Sequence, residues 1–261
     1  MFDLATLEAA LANTMYAGHL HFAPVTDSTN NDAAQAARNG APHGSVFFAD
    51  EQLAGRGRSD HRWHSAAGQG LYVSVLLRPQ IFAAYLPLIP LVAGLAAVDA
   101  IQTVANVAVD LRWPNDLLIS PRKAGGILVE AKTEGNTVAF VVIGIGINVH
   151  QQTFAPDLCT AATSLDIEAH RRVSRQNLLA ALLKSLECES NELLDPAAIA
   201  AIPQRVEQAS TWIRGHKVDV HGPQACTGVT AGLNEHGFLL VRTADELVTI
   251  QTGGIRAAEM K

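Results

Sequence analysis

The spacing of apolar residues divides the first third of the chain into two helices and three strands. Apolar residues at intervals of three and four predict a short amphipathic helix over residues 2–15. A second helix is predicted over residues 30–40, where a glycine ends it. Runs of β-branched and aromatic residues predict strands over residues 21–26, 44–52 and 70–79.

An uncharged stretch covers residues 81–98 and reaches the lower length limit of a membrane span. Pro87 and Pro90 interrupt it, and Arg78 and Asp99 bracket it. We interpret it as a loop that ends near Pro90, followed by a buried helix of about ten to fifteen residues that continues past Asp99. The alternative is a membrane-spanning helix, which would need partner helices at its prolines.

Strands dominate the middle of the chain. Residues 107–119 and 123–149 predict strand, turn, strand, hairpin and strand, with the hairpin turn at residues 134–136. Residues 174–194 then predict a helix for which Ser174 offers the N-cap. Since the strands cluster between flanking helices, the pattern predicts an α+β fold with a central β-sheet.

The composition changes near residue 209. From there, short strands separated by Gly, Pro and Asn turns predict a small β-barrel or sandwich of about fifty residues. We therefore expect two domains, formed by residues 1–208 and residues 209–261.

Composition and charge narrow the range of functions. The chain has 261 residues, 48% of them hydrophobic, so it can bury a sizeable core. Its formal net charge is -6, whereas a general nucleic-acid binder should be basic, so DNA is not an expected partner. Three isolated cysteines argue against a disulfide framework and a zinc ribbon. The first residues lack the basic segment of a secretory signal, so we expect a cytoplasmic protein without a membrane partner.

The segment EQLAGRGRSDHRWHS, residues 51–65, combines groups that hold an anion. The chain has neither a P-loop nor a complete dinucleotide-binding glycine motif, so a nucleotide would need another device. Glycines let the backbone approach a ligand, guanidinium groups suit phosphate or carboxylate, and an indole offers an apolar wall. The residues concerned are Gly55, Arg56, Gly57, Arg58, Arg62 and Trp63. The alternative is a solvated basic turn over a buried tryptophan.

Two motifs place polar groups at strand ends. In RWPNDLLI, Asn115 and Asp116 follow a strand and a proline turn, and their oxygens are ligands that Mg²⁺ accepts. In KAGGILVEA, Lys123 precedes two glycines and can place a positive charge beside a carboxylate or phosphate. The alternatives are an ordinary Pro-Asn-Asp turn and a strand-edge lysine that prevents aggregation.

The motif VVIGIGINV is too apolar for an exposed strand. Gly144 and Gly146 remove side chains from one face of this strand, which suits the close approach of a flat ligand. Asn148 offers both a donor and an acceptor, which suits an adenine edge. The alternative is a bulge with a capping asparagine.

Short neutral side chains in DSTN, residues 27–30, and in EQ, residues 51–52, suit a polar uncharged head group such as a urea. Helix capping by Asp27, Ser28 and Thr29 is the alternative.

In chain order, DSTN, EQLAGRGR, RWPNDLLI, KAGGILVE and IGIGINV resemble the motifs of the biotin protein ligase family. The resemblance covers residues 26–149, and the β-rich end fits that family's small SH3-like barrel. It implies a class II synthetase-like catalytic domain built on a mixed sheet. It also implies a two-step reaction, in which biotin and ATP give biotinoyl-AMP and pyrophosphate before a carrier-protein lysine is acylated.

The resemblance further implies cofactors, partners and residue roles. The reaction would use biotin, ATP and Mg²⁺, the carrier would be the biotin carboxyl carrier domain of an acyl-CoA carboxylase, and a homodimer is expected by analogy. The biotin head group would be bound by Ser28, Thr29, Asn30 and Gln52. The biotin carboxylate and the phosphate would meet Arg56, Gly57, Arg58 and Lys123, with the three cationic residues catalytic. ATP or the adenylate would contact Arg58, Trp63, Asn115 and Asn148, and Mg²⁺ would bind Asn115 and Asp116.

The arginine loop departs from the family's pattern, which commonly reads GRGRxGRxW. Asp60 and His61 replace the second glycine and the third arginine, and Arg62 is placed to compensate from the next position. Only about 25 residues precede DSTN, too few for a three-helix DNA-binding module, so we expect no repressor function.

Two other functions remain open. A lipoate or octanoate ligase shares the catalytic fold, but its glycine-rich RRxxGGG motif is not found in the chain. A non-catalytic regulator that binds a vitamin or nucleotide is the second alternative, since a fold does not imply an activity.

Overall fold

A computed structural model describes residues 2–58, 61–156 and 158–258, and two β-sheets organise it. The larger sheet has the strand order β1-β2-β3-β7-β6-β5-β4. β1 and β2 are parallel and the other neighbouring strands are antiparallel, so the sheet is mixed, as expected. Its strands are β1 (Leu20–Thr26), β2 (Ser45–Gln52), β3 (Gly70–Leu77), β4 (Asp110–Arg112), β5 (Asp116–Ile119), β6 (Arg122–Glu134) and β7 (Thr137–Asn148).

Helices flank this sheet, which confirms the α+β prediction. The three helices predicted over residues 2–15, 30–40 and 174–194 are confirmed with shorter bounds. The hydroxyl of Ser174 accepts a hydrogen bond from the Asn177 backbone N–H at 3.2 Å, as predicted for an N-cap. The helices are α1 (Leu4–Leu11), α2 (Thr29–Arg38), α3 (Ile89–Ala105), α4 (Leu165–Ala169), α5 (Arg175–Glu192) and α6 (Pro196–Gln208).

The larger sheet is covered on both faces. α2 packs a small apolar cluster on one face, where Ala33 and Ala37 meet Leu76 and Phe140. α3 and α5 pack on the other face and contribute to the main core. Successive side chains of a strand point to opposite faces of the sheet, so a strand covered by helices on both faces is buried along its whole length. Every residue of β3 is buried in this way.

The apolar stretch forms a helix of the core. A 3₁₀ helix (Ala83–Leu88) replaces the expected loop and leads directly into α3, with Pro90 in the first helical turn. That turn tolerates proline because its N–H groups have no helical partner. The segment Ala83–Ala105 has the length and hydropathy of a membrane span, but 61% of its apolar 18-residue stretch is buried against the rest of the protein. Packing in the core accounts for its apolar composition.

The sequence pattern did not predict α6. A proline inside a helix is unfavourable and usually breaks it. Pro203 nevertheless lies inside α6 and is buried on the face of the helix that packs on the core. The helix begins at Pro196, and the Asp195 carboxylate accepts the Ala197 N–H at 2.9 Å. Arg205 then pairs with Glu189 of α5 at 2.5 Å. Capping and tertiary contacts therefore outweigh the unfavourable proline.

The C-terminal region forms a second antiparallel sheet with the order β11-β10-β9-β8-β12. β11 and β12 are its two edges, and no strand pairing joins them in the part of the chain described here, so the expected closed barrel is not confirmed. Trp113 donates its indole N–H to the Gly237 carbonyl at 3.1 Å, which links this sheet to the segment that follows β4 of the larger sheet. The strands are β8 (Arg214–His221), β9 (Cys226–Leu233), β10 (Leu239–Arg242), β11 (Leu247–Ile250) and β12 (Gly254–Ala257).

We predict that Leu182→Ala lowers the free energy of unfolding by about 2–5 kcal/mol, because Leu182 of α5 is fully buried and its truncation leaves a cavity. Lys184→Ala on the exposed side of the same helix should change the free energy of unfolding by less than about 0.5 kcal/mol. Chemical denaturation measures both values. Equal losses for the two variants would contradict the packing of α5 against the sheet.

Candidate active site

A cavity of about 1330 Å³ opens at one end of the larger sheet. It lies where β2, β4 and β7 end and where β5 and β6 begin, and the loop between β2 and β3 covers one side. Residues 151–155, residues 158–160 and Ala162 form a further part of the wall. Two turns of the C-terminal sheet, at 221–223 and 252–256, complete it. Since pockets for one drug-sized ligand measure about 300–1,000 Å³, this cavity can hold two ligands side by side.

Neutral polar side chains form one corner of the cavity. Ser28, Thr29 and Asn30 are almost completely buried at the start of α2. The Gln52 side-chain oxygen accepts the Thr29 backbone N–H at 2.9 Å, and its amide nitrogen donates to the Ser65 hydroxyl at 2.8 Å. Ser28 holds the N-cap position without forming a capping bond, and it lines the cavity. We call Ser28, Thr29, Asn30 and Gln52 the polar corner.

Asn30 connects the polar corner to the central strands. Its amide nitrogen donates to the Glu130 carboxylate at 2.8 Å, and its oxygen accepts the Ser74 hydroxyl at 2.6 Å. A Cβ atom on Gly144 would lie 2.0 Å from that oxygen. The missing side chain of Gly144 is therefore explained by Asn30, whereas the sequence analysis expected a ligand at this face.

The arginine loop folds back on itself as a narrow turn. The backbone N–H of Trp63 donates to the Gly55 carbonyl at 2.9 Å, and the backbone N–H of Gly57 donates to the His61 carbonyl at 2.7 Å. A Cβ atom on Gly55 would lie 2.5 Å from the Trp63 carbonyl oxygen, so this position requires glycine. The departure from the family's pattern at Asp60 lies outside the described residues.

Two arginines of this loop take different partners. Arg56 forms an ion pair of 2.5 Å with Glu130 of β6. Arg58 donates to the Asn115 side-chain oxygen at 3.2 Å and to the Gly253 carbonyl at 2.8 Å. Burial lowers the pKa of the Arg58 guanidinium, and the nearby Asp116 carboxylate opposes that change. Arg58 thus joins the loop to the β4–β5 turn and to the C-terminal sheet.

A carboxylate with two cationic partners lies opposite the loop. Asp116 pairs with Lys123 at 2.5 Å through one oxygen and with Arg112 at 2.6 Å through the other. Burial alone would raise the pKa of the Asp116 carboxyl, but Lys123 and Arg112 outweigh it and hold the pKa below its ordinary value of 3.8. We call Arg112, Asp116 and Lys123 the charged triad.

The predicted magnesium ligands do not fit a metal site in this arrangement. Both Asp116 oxygens face cationic side chains, and the Asn115 oxygen accepts a hydrogen bond from Arg58. A divalent cation would meet three positive groups there. No cluster of three or more His, Cys, Asp or Glu side chains suited to a metal occurs within residues 2–58, 61–156 and 158–258. The assignment of Asn115 and Asp116 to Mg²⁺ therefore stays a prediction, which these ion pairs do not favour.

The two asparagines expected at the nucleotide both have protein partners. Asn115 donates to the Ile127 carbonyl at 2.7 Å, which holds the β4–β5 turn against β6. Asn148 donates to the Thr163 carbonyl at 3.0 Å and accepts from Gln151 at 3.3 Å. Both line the cavity, and their hydrogen bonds fix the surrounding segments.

Trp63 lies across the glycine face of the central strands. A Cβ atom on Gly146 would be 2.6 Å from the indole, and the Lys123 ammonium is 5.7 Å from the indole ring centre. The indole N–H of Trp63 is buried without a hydrogen-bond partner among the described residues. The indole therefore forms an apolar wall between the polar corner and the charged triad.

Some residues of the site were missed by sequence reasoning. Arg112 reaches Asp116 only through the β4–β5 pairing, in which it lies directly opposite. Ser74 and Glu130 belong to strands whose register brings them under Asn30 and Arg56. Gly253 comes from the C-terminal sheet, about 200 residues from the loop it contacts. Of these residues, only Arg112 could have been predicted from the sequence, because it directly precedes the Trp-Pro-Asn-Asp turn.

The arrangement suits a reaction between two anions. Arg58 and Lys123 line a cavity that the polar corner closes at one side. Positive groups fixed in this way offset the repulsion between a carboxylate and a phosphate and stabilise charge that develops in the transition state.

The chain is similar to known ligases. Residues 22–148 match the model of the biotin/lipoate A/B protein ligase family. The biotin–[acetyl-CoA-carboxylase] ligase of Paracoccus denitrificans is 39% identical over 225 residues, which cover 83% of this chain and 91% of that protein. The bifunctional ligase/repressor BirA of Bacillus subtilis is 41% identical over 171 residues, 65% of this chain.

The match to the Bacillus protein spans 53% of that protein's length, about half of it. Among solved structures, the biotin protein ligase from Aquifex aeolicus in complex with biotin and ATP superposes with a TM-score of 0.79 at 28% identity. That superposition covers 92% of this chain and 98% of the Aquifex chain. Identity to the Paracoccus ligase over most of both chains, together with the matched family model, shows that this chain belongs to the biotin/lipoate A/B protein ligase family.

Proposed function

We propose that the protein is an ATP-dependent biotin protein ligase. The observation that carries the proposal is the cavity, which combines the polar corner with the charged triad and Arg58. The first part suits the uncharged cyclic urea of biotin, and the second suits a carboxylate and a phosphate. The names of the Paracoccus and Aquifex proteins point to the same substrates.

In the first step, an oxygen of the biotin carboxylate attacks the α-phosphorus of ATP. The bond from that phosphorus to the oxygen bridging to the β-phosphate breaks, and pyrophosphate leaves with the electron pair. Lys123 and Arg58 hold positive charge at the cavity wall, where it offsets the repulsion between the two anions. Asp116 holds the Lys123 ammonium in place through the 2.5 Å ion pair.

In the second step, the neutral amine of a carrier lysine attacks the acyl carbon of biotinoyl-AMP. The bond from this carbon to the phosphate oxygen breaks, AMP leaves, and the amine gives up a proton to the solvent. The enzyme needs no covalent nucleophile for either step, since both attacking groups belong to substrates.

We further propose the carrier and the setting of this reaction. The carrier is the biotin carboxyl carrier domain of an acyl-CoA carboxylase, in agreement with the name of the Paracoccus relative. We place this reaction in the cytoplasm. The division at residue 209 into a catalytic domain and an SH3-like domain, and a homodimer, stay predictions.

Incubation with ATP and either biotin, lipoate or octanoate tests the function. Biotin-dependent release of pyrophosphate, followed by biotin transfer to a purified carrier domain, is the expected result. Release that depends on lipoate or octanoate would show the alternative ligase. Tight biotin binding without pyrophosphate release would show a non-catalytic regulator.

We predict that Lys123→Ala slows adenylate formation by at least about 100-fold while the fold survives, because the lysine contributes charge at the reacting groups and little packing. Lys132→Ala is the matched control, since Lys132 lies exposed near the other end of β6. Pyrophosphate release in a single turnover measures both. A folded Lys123→Ala protein with near-normal release would exclude this role.

We also predict that Gly253→Ala speeds the loss of biotinoyl-AMP, as Arg58→Gly should. The new Cβ would lie 2.0 Å from the His221 carbonyl oxygen, so the turn must shift, and its carbonyl would leave Arg58. Gly254→Ala is the control, because a Cβ atom there meets nothing within 4 Å. The dissociation rate of preformed biotinoyl-AMP should rise about tenfold for the first two variants only. Equal rates in all four proteins would contradict closure of the cavity through Arg58.

A further inference from the structure

A chain of hydrogen bonds runs beneath the polar corner and ends at Glu130. Glu130 accepts from Asn30 at 2.8 Å, Asn30 accepts from Ser74 at 2.6 Å, and the Ser74 and Thr29 hydroxyls lie 2.8 Å apart. Ser74 is completely buried, and Thr29 and Asn30 are nearly so. The chain thus connects a partly exposed carboxylate on β6 to a side chain that lines the cavity.

The carboxylate sets the direction of the hydrogen bonds that Asn30 and Ser74 form in this chain. A carboxylate only accepts hydrogen bonds, so Asn30 must face Glu130 with its NH₂ group and Ser74 with its oxygen. Ser74 then gives its single proton to Asn30, so it cannot donate to Thr29. The single proton of the Thr29 hydroxyl goes to Ser74 or to the Gln52 side-chain oxygen, which lies 3.1 Å away. The Thr29 oxygen therefore keeps lone pairs that can accept a hydrogen bond from the cavity side.

Glu130 also holds the arginine loop. It forms the 2.5 Å ion pair with Arg56 through the same oxygen that accepts from Asn30. One carboxylate thereby connects the loop that covers the cavity with the helix that begins at the polar corner. This contact requires no partner on the substrate, so it exists before a ligand arrives.

We propose that Glu130 is a positioning residue that sets the hydrogen-bond polarity of the polar corner. With Glu130 in place, Thr29 accepts, which selects a head group that presents N–H donors, as a cyclic urea does. This inference rests on the proposed function, because it names the residue that prepares the site for biotin. Glu130 acts through Asn30 and Arg56 and does not touch the reacting atoms.

The test compares biotin affinity, measured by calorimetry without ATP, in wild type and Glu130→Gln. A glutamine can face Asn30 with either its oxygen or its NH₂ group, so only the long 3.4 Å bond from Asn30 to the Leu128 carbonyl still orients the amide. The charge that holds Arg56 is also lost. We expect the dissociation constant to rise about tenfold or more, while kcat for adenylation at saturating biotin changes less than about threefold. Glu134→Gln is the matched control, because Glu134 ends the same strand with its side chain 69% exposed.

Exchanging the acid and the amide between positions 30 and 130 distinguishes an effect on hydrogen-bond polarity from a loss of folding stability. Asn30→Asp alone places two carboxylates in contact and should weaken biotin binding. In the double variant Asn30→Asp/Glu130→Gln, the glutamine NH₂ group can donate to Asp at position 30, which still accepts from Ser74. The double variant should therefore bind biotin more tightly than Asn30→Asp. This rescue is expected even if Glu130→Gln lowers the melting temperature.

Three results would overturn the proposal. They are an unchanged biotin affinity in folded Glu130→Gln, an equal loss in Glu134→Gln, and a double variant no better than Asn30→Asp. Failure of the proposed function would look different, since wild type itself would then bind no biotin or release no biotin-dependent pyrophosphate.

Discussion

The site depends on one buried carboxylate shared by two cations. Asp116 begins β5, Arg112 ends β4 and Lys123 lies near the start of β6, so their ion pairs join three consecutive strands at the end of the sheet where the cavity opens. Removing a carboxylate from water is unfavourable, and here the two cations outweigh that cost, as the lowered pKa of Asp116 shows. Without Asp116, two positive side chains would face each other in a partly buried wall. The position of Lys123 is therefore a consequence of strand pairing.

The same end of the sheet separates two kinds of chemistry. The polar corner is neutral and hydrogen-bonded through side chains of α2, β2 and β3, and the charged triad belongs to β4, β5 and β6. The glycines of β7 allow Asn30 and Trp63 to lie flat against the strand between the two regions. Arg58 closes the cavity by reaching across to the C-terminal sheet. A ligand with a urea at one end and a carboxylate at the other matches this division.

Local patterns predicted much of this structure, and long-range register accounts for the rest. The strands over residues 123–149 and the capped helix at Ser174 follow from periodicity and turn residues alone. The motifs that carry the family resemblance line one cavity. Sequence does not show that Arg112 and Lys123 lie on either side of Asp116, and these ion pairs do not favour the magnesium assignment, which stays a prediction. α6 was missed because Pro203 is unfavourable inside a helix, whereas capping by Asp195 and the ion pairs of Arg205 stabilise this helix.

The most direct test of this account is the rate of adenylate formation by Asp116→Asn as a function of Mg²⁺ concentration. If Asp116 positions Lys123, the single-turnover rate should fall at least about 100-fold at every Mg²⁺ concentration. The Mg²⁺ concentration that gives half the maximal rate should then match that of wild type. If the rate instead returns to the wild-type value at high Mg²⁺, Asp116 is a metal ligand and the charged triad is not the basis of the site.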